Sequence, residues 1–329
     1  MREPENQRVL FITTKNTDYI RNTQEISLLS ETAAEVTVIG SKSRSYVRRL
    51  AFVYMHLLFC SMKRFDLVFI GFSPQLILPF WSWKFRQKTV VTDFFISVYD
   101  TMVCDRKKFR DGSFLARICR WLDLRTLRGA DACICDTNVH GDYFSAEFEV
   151  PREFFHTLYL DADRSIYYPR NAQKPEEAQG RFVVLYFGSV LPLQGVDVIQ
   201  DAMSRLAEDA RFFFYLIGPV SERMTASNIR YIDWLSQEQL AGYIAFADLC
   251  LAGHFNAGIE KAKRTIPGKA YIYRAMDKPM ILGDNPANRE LFDESMEGIF
   301  FVPMGDARAL ADRIVEIYDG KEPKEPGGK

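Results

Sequence analysis

Short apolar runs rich in β-branched residues alternate with longer segments of helical spacing along the whole chain. In the first half the runs are RVLFITT (8–14), EVTVIG (35–40), DLVFIGF (66–72), KTVVTDF (88–94) and ADACICDT (130–137). Between the first two, Ile26, Leu28, Leu29 and Ala33 supply the apolar positions of a helical segment. Runs this short and this uniformly apolar are what parallel strands become when helices cover both faces of a sheet. The series pauses at PRNAQKPEEAQG (169–180), which holds no large apolar residue and has the composition of a linker. It restarts with RFVVLYFG (181–188), FFFYLIG (212–218), NIRYID (228–233), DLCLAG (248–253), PMILGD (279–284) and GIFFVP (298–303). Helical segments VDVIQDAMSRLAE, QEQLAGYIAFA, AYIYRAM and ALADRIVEIYD (309–319) fall between and after them.

The pattern predicts two doubly wound, Rossmann-like α/β domains facing across a cleft, spanning 1–168 and 181–319 with the linker at 169–180. KEPKEPGGK closes the chain without a core-forming residue, so 320–329 is expected to be a disordered tail. In sheets of this kind ligands sit beyond the carboxyl ends of the strands, so the loops after the strands are where chemistry is sought.

Composition narrows the choice. The 329 residues are 47% hydrophobic and 26% charged with a net charge of −1, so no whole-chain field attracts nucleic acid, and no nucleic-acid partner is expected. Six cysteines lie mostly in apolar runs without a C-x-x-C pair, as in a reduced cytoplasmic protein, and the four histidines lack metal-ligand spacing. MREPENQRVLFITT is polar and then strand-like, with no secretory signal. The longest apolar run, Leu50 to Cys60, is shorter than the roughly 17–25 residues of a membrane span.

Two stretches of the second half carry candidate chemistry. In YFGSVLPLQGVDVIQDAM (186–203) a strand ends at Gly188 and a loop through Ser189, Gln194 and Gly195 leads into a helix. Glycines there let backbone N–H groups approach a phosphate at a helix N-terminus, although a plain strand-to-helix turn also uses glycine. In AKRTIPGKAYIYRAMDKPMILGDNPANRELF (262–292) Pro267 and Gly268 make a turn and Lys269 opens a helix. A cation against the positive end of a helix dipole is unfavourable unless an anion lies between them. Lys261, Lys263, Arg264 and Lys269 place four cations within nine residues with no acid among them, which favours an anion clamp over a solvated turn.

These two motifs, in this order and spacing, resemble the C-terminal domain of family 4 glycosyltransferases (glycosyltransferase group 1) of the GT-B fold, in particular bacterial surface-polysaccharide members. The match runs from about Arg181 to Ile317, and DFFISVYDTMVCDR (93–106) and ADACICDT resemble segments of the same group's N-terminal domain. The resemblance implies a metal-independent hexosyltransferase that moves a sugar, with retention, from a nucleoside diphosphate sugar to an acceptor hydroxyl of a glycan or lipid-linked acceptor. No resident cofactor is implied, the nucleotide sugar being a co-substrate. Lys269 and Arg264 would stabilise the departing diphosphate. Gly188, Ser189, Gln194, Gly195, Lys261, Pro267, Asn288 and Glu290 would line the donor, while Asp93 and Asp100, with Ser97, Tyr99 and Thr101, would face the acceptor.

The chain departs from the family's pattern in places. Two glutamates eight positions apart in better-known members correspond to Arg264 and Ile272, and an arginine and a lysine of the first glycine loop correspond to Ser189 and Gln194. The family's paired glycines after Asp284 become Pro286 and Ala287. These losses keep open a non-catalytic nucleotide- or glycan-binding GT-B protein, and the fold also allows a nucleotide-sugar epimerase. Asp161 and Asp163 form a D-x-D, but hard-cation sites draw on more oxygen ligands and no metal is expected. Finally, residues 36–92 hold nine Lys/Arg against one acid, Asp66, amid many aromatics. That density suits an anionic membrane surface, and hence a peripheral location on the inner membrane face, or equally a core helix with a basic rim.

Overall fold

A computed structural model of the chain describes residues 7–321. It divides into two compact units, Met1–Leu160 and Asp161–Lys329, each built on one parallel sheet of six strands. The polar lead of residues 1–6 and the tail beyond Lys321 lie outside the described residues. Gly320 and Lys321, where the expected tail begins, belong to the last helix.

In the first unit the strands are β1 (Arg8–Ile12), β2 (Glu35–Ile39), β3 (Leu67–Ile70), β4 (Thr89–Asp93), β5 (Ala132–Cys135) and β6 (Phe155–Thr157), ordered β2-β1-β3-β4-β5-β6. Helices α1 (Ile20–Thr32), α2 (Tyr46–Phe59), α3 (Leu78–Trp81), α4 (Phe114–Leu127) and α5 (Asn138–Phe148) connect them. Alternation along β1 sends Leu10 and Ile12 to Val53 and Leu57 of α2, and Val9 and Phe11 to the face that receives Ile26 and Leu29 of α1. The predicted series missed β6, whose three residues are too few to show alternation.

At the carboxyl edge of this sheet the buried Arg21 guanidinium holds the unit's ends together. It donates to both oxygens of Asp93, at 2.7 and 2.8 Å, and to Asp136 at 2.8 Å. Asp93 ends β4 and Asp136 follows β5, so one side chain of α1 fixes two strand ends. Glu25 lies 3.5 Å from the same guanidinium, and burial together with Asp93 pushes its carboxyl well above the usual range.

The second unit contains β7 (Phe182–Phe187), β8 (Phe212–Ile217), β9 (Ile229–Ile232), β10 (Leu249–Gly253), β11 (Met280–Asp284) and β12 (Ile299–Pro303), ordered β12-β11-β10-β7-β8-β9. Its helices are α6 (Val196–Arg205), α7 (Gln237–Phe246), α8 (Gly268–Ala275) and α9 (Ala307–Lys321). Val184, Tyr186, Phe214 and Leu216 pack with Ile199 and Met203 of α6 and Leu310 and Ile314 of α9. The strand order reverses between β7 and β10, which is the switch point where doubly wound sheets bind ligands.

Replacing Arg21 by methionine leaves Asp93 buried without its cation. The expected cost is about 3–5 kcal/mol of unfolding free energy, read as a large drop in the denaturation midpoint. A midpoint within experimental error of the wild type would refute this role for Arg21.

Candidate functional site

The carboxyl edge of the second sheet is lined by glycines for a steric reason. A Cβ on Gly218, after β8, would sit 2.1 Å from the carbonyl oxygen of Gly188, after β7. One on Gly283 of β11 would sit 2.0 Å from the carbonyl oxygen of His254. Only backbone fits against backbone there. The loop after β7 is tied to the loop after β10 across the switch point. Phe255 N–H donates to the Gln194 carbonyl at 3.2 Å, and Asn256 Nδ2 donates to the Pro192 carbonyl at 2.8 Å. Gly195 precedes α6 with φ +68°, and a Cβ on it would lie 2.7 Å from the Asn256 nitrogen.

Lys269 stands at the second position of α8 and is 6% exposed. Its ammonium donates to Gln194 Oε1, lies 4.8 Å from the centre of the Tyr186 ring, and borders Gly188, where an added Cβ would be 3.5 Å from Nζ. No carboxylate pairs with it among the described residues, and burial pushes its pKa down to about 7. His254, at the end of β10, is driven well below its ordinary value by burial, then by Lys269 and Lys261. Its Nε2 is 3.4 Å from Thr265 Oγ1. The charges of Lys261 and Lys269 thus converge on one buried spot at the switch point.

The remaining predicted donor residues divide. Pro267 is the residue before α8, and its carbonyl accepts from Ala270 N–H at 2.8 Å. Arg264 is 9% exposed and follows the short turn Glu260–Lys263. Ser189 is exposed, and its carbonyl accepts from Leu191 N–H at 3.0 Å. Asn288 is fully buried and straps two strand ends, donating to the carbonyls of Gly253 at 3.2 Å and Gly283 at 2.8 Å. Glu290 is half-buried in the turn Asn288–Glu290. The acid-free cluster needs one correction: Lys263 pairs with Glu260 at 2.6 Å, one position before the stretch read as purely basic. A cavity of about 400 Å³ adjoins the loop, lined by Leu191, Pro192, Gln200, Val220, Glu222 and Asn256. Another of about 450 Å³ lies at the opposite sheet edge, near Pro279 and Gly298, and holds none of the predicted residues.

In the first unit the predicted acceptor-side groups are engaged within the unit. Both Asp93 oxygens serve Arg21, and Asp100 is buried and accepts from Tyr143 Oη at 3.3 Å. Ser97 Oγ donates to Asp123 at 2.7 Å, Tyr99 Oη donates to Asp111 at 2.8 Å, and Thr101 is half-buried in a wide π-type turn at Asp100–Asp105. Asp123 also accepts from the Val98 and Tyr99 N–H groups and from Gln75, while burial pushes its carboxyl up to about 6. Sequence reasoning passed over Asp123, yet it occupies the inward spacing of Ala116, Cys119 and Leu127, and a lone carboxylate on such a stripe is a signal. The D-x-D aspartates are absorbed locally: Asp161 accepts from Ala162 N–H at 2.8 Å and Asp163 from Ser165 N–H at 2.9 Å.

This arrangement is a doubly wound unit with a buried lysine at its switch point, and comparison relates it to a family. Residues 181–320 match the model of the family described as glycosyl transferases group 1. That match spans the strands and helices of the second unit, and the chain as a whole has the GT-B fold. Sucrose-phosphate synthase from Thermosynechococcus elongatus is similar with a TM-score of 0.67 at 14% identity, over 95% of this chain and 90% of that one. The catalytic domain of starch synthase IV from Arabidopsis thaliana, bound to ADP and acarbose, gives 0.65 at 10% identity over 98% and 93%. HepE of Anabaena in complex with UDP gives 0.62 at 13% identity over 95% and 91%. At these identities the likeness concerns fold. No curated protein matches the chain in sequence.

The folded pKa of Lys269, about 7, lies below its unfolded value of 10.5. Between those values the unfolded chain binds the extra proton, so this group makes stability rise with pH there. In the Lys269→Met variant that part of the slope should vanish, as measured by thermal unfolding from pH 7 to 9. An unchanged slope would show that Lys269 is not the titrating group.

Proposed function

We propose that the chain is a retaining hexosyltransferase acting on a nucleoside diphosphate sugar and an acceptor hydroxyl, in the assembly of a cell-surface glycan or glycolipid. The observation that carries this reading is the buried Lys269 ammonium, set without a carboxylate beside the Gly188–Gly195 loop at the switch point. A diphosphate supplies the missing anion. The matched family and the UDP and ADP bound in the similar structures support the same donor class.

In this reading the bond from the anomeric carbon to the diphosphate breaks as the acceptor oxygen bonds to that carbon on the same face. The acceptor proton passes to the departing phosphate oxygen, so no protein nucleophile is needed. Lys269 and Arg264 stabilise the leaving charge, the start of α6 adds to them, and Glu290 holds sugar or ribose hydroxyls. These cations take the part a metal ion plays elsewhere, and no resident cofactor is invoked. Asp100 and Thr101 remain the acceptor-side candidates of the first unit. The site of action is cytoplasmic, a reading supported by six cysteines without a disulfide. No helix among the described residues is long and apolar enough to cross a membrane. An anionic membrane surface is proposed as a partner through residues 36–92, where the outer face of α2 exposes apolar side chains between cations.

A non-catalytic nucleotide-binding role is the second reading, favoured by Ile272, which the family resemblance sets where better-known members carry a glutamate. The two separate on a measurement. Thermal-shift screening against nucleoside diphosphate sugars identifies the donor, since a ligand bound only to the folded state raises stability by mass action. Release of nucleoside diphosphate is then followed with and without an acceptor. Lys269→Ala should abolish transfer and weaken nucleotide binding by at least about tenfold, with the fold retained. Wild-type turnover in that variant would sink the proposal, and binding without turnover in the wild type would select the second reading.

A further inference from the structure

Of the nineteen large apolar side chains exposed among the described residues, fourteen belong to the first unit. Twelve of these lie on α2, on α3 with the short turn Ser82–Lys84 that follows it, and on α4. The three segments form one contiguous helical layer. Tyr54 of α2 meets Trp81 of α3 edge-on at 5.4 Å, and Lys84 Nζ donates to the Leu58 carbonyl at the end of α2 at 2.9 Å. On the other side, Gln75 just ahead of α3 donates to Asp123 of α4 at 3.0 Å.

Each long helix of this layer carries two apolar stripes, not one. In α2 the inward stripe includes Val53 and Leu57, whereas Val47, Ala51, Met55 and Leu58 follow helical spacing on the side turned to solvent. In α4 Ala116, Cys119 and Leu127 face inward, while Phe114, Ile118 and Trp121 are exposed at the same kind of spacing. A surface helix of a water-soluble domain needs only the first stripe. Beside the outward stripe of α2 an apolar groove of about 430 Å³ runs to edge strand β2, between Val38, Ile39, Met55 and Phe59, with Arg64 on its wall.

The charge around these stripes is predominantly positive. Arg44, Arg48, Lys63, Arg64 and Arg86 are exposed around α2 and α3. The only acid from Val36 to Thr92, Asp66, lies 3.6 Å from Arg8. Around α4, Arg106, Lys107, Lys108, Arg110, Arg117 and Arg125 are exposed, against Asp111, which accepts from Tyr99 and Gly112. Interface cores between proteins are depleted of charged residues overall, whereas here cations recur along both stripes. Apolar and aromatic side chains interleaved with cations over a broad face instead match the interface of an anionic bilayer, where rings sit at headgroup level and cations meet phosphate.

We propose that the first unit docks on an anionic lipid bilayer through a two-helix face, in which α4 supplies a second insertion stripe alongside α2. This deepens the membrane reading given above for residues 36–92 by adding α4, and it does not depend on the transferase reading. The full chain is sedimented with vesicles of phosphatidylcholine alone and with vesicles in which about a third of the lipid is phosphatidylglycerol, the anionic share that attracts polybasic surfaces. Binding is expected only to the anionic vesicles and is expected to weaken as salt rises. Met55→Ser with Leu58→Ser, and separately Ile118→Ser with Trp121→Ser, should each lower the binding constant by about tenfold or more. Arg117→Glu with Arg125→Glu should also lower it. These side chains are exposed, so thermal midpoints should stay at the wild-type value, and the nucleotide-sugar thermal shift of the same preparations reports separately on the donor site. Wild-type affinity in the Ile118/Trp121 variant would overturn the role of α4. Equal binding to neutral vesicles, or no vesicle binding together with self-association lost in the same variants, would overturn the bilayer as partner.

Discussion

Both units place a buried cation at the carboxyl edge of a parallel sheet, and the difference between the two cations organises the molecule. Arg21 is met by Asp93 and Asp136 with charge-assisted hydrogen bonds and has Glu25 beside it. Its charge is balanced inside the protein, and it serves to hold strand ends. Lys269 is also buried but, among the described residues, meets an amide oxygen from Gln194 and the face of Tyr186 and no carboxylate. A buried ammonium without a carboxylate loses most of its hydration and recovers little of it from such partners. The second unit therefore keeps an anion-seeking charge where the first has spent its own.

What allows that charge to sit at the switch point is the removal of side chains around it. Gly188 and Gly218 bring two strand ends into backbone contact, and Gly283 does the same against His254. The edge that results is largely backbone where these glycines meet, and the Lys269 ammonium borders Gly188 there. Arg21 bridges carboxylates from two strand ends in the first unit; in the second, Asn288 ties β10 to β11 through backbone carbonyls, so the sheet ends are joined without an acid that would neutralise Lys269. Uncharged fastening and an unneutralised cation belong to the same solution.

The fold was legible because it is written in repetition: eleven of the twelve strands stand out as short apolar runs, and only β6, with three residues, was too brief to show a period. Lys269 was legible because a lysine in the first turn of a helix conflicts with the dipole, and local conflict is readable from local sequence. The pairing of Lys263 with Glu260 was not legible in the four-cation stretch itself, because the acid precedes that stretch by one position. The roles of Asp93 and Ser97 were not legible for a deeper reason. Arg21 is 72 residues from Asp93, and Asp123 is 26 from Ser97. Whether a carboxylate faces a substrate or an arginine depends on which distant helix the topology sets beside it, and no spacing rule carries that information.

The distribution of exposed apolar surface follows from the same division. In the second unit the buried cations gather near the switch point, and only five of the nineteen large apolar side chains exposed among the described residues belong to it. The first unit has settled its charges at the sheet edge and instead leaves unmet demand on a broad helical face, with Phe59 82% and Phe114 75% exposed. Exposed apolar area on this scale invites self-association unless something covers it or like charge holds copies apart. The arginines and lysines beside the stripes of α2 and α4 provide that repulsion between copies, and the same charges attract an anionic surface. One set of cations thus works against the wrong partner and for the right one, which is how a face can stay apolar in water and still be selective.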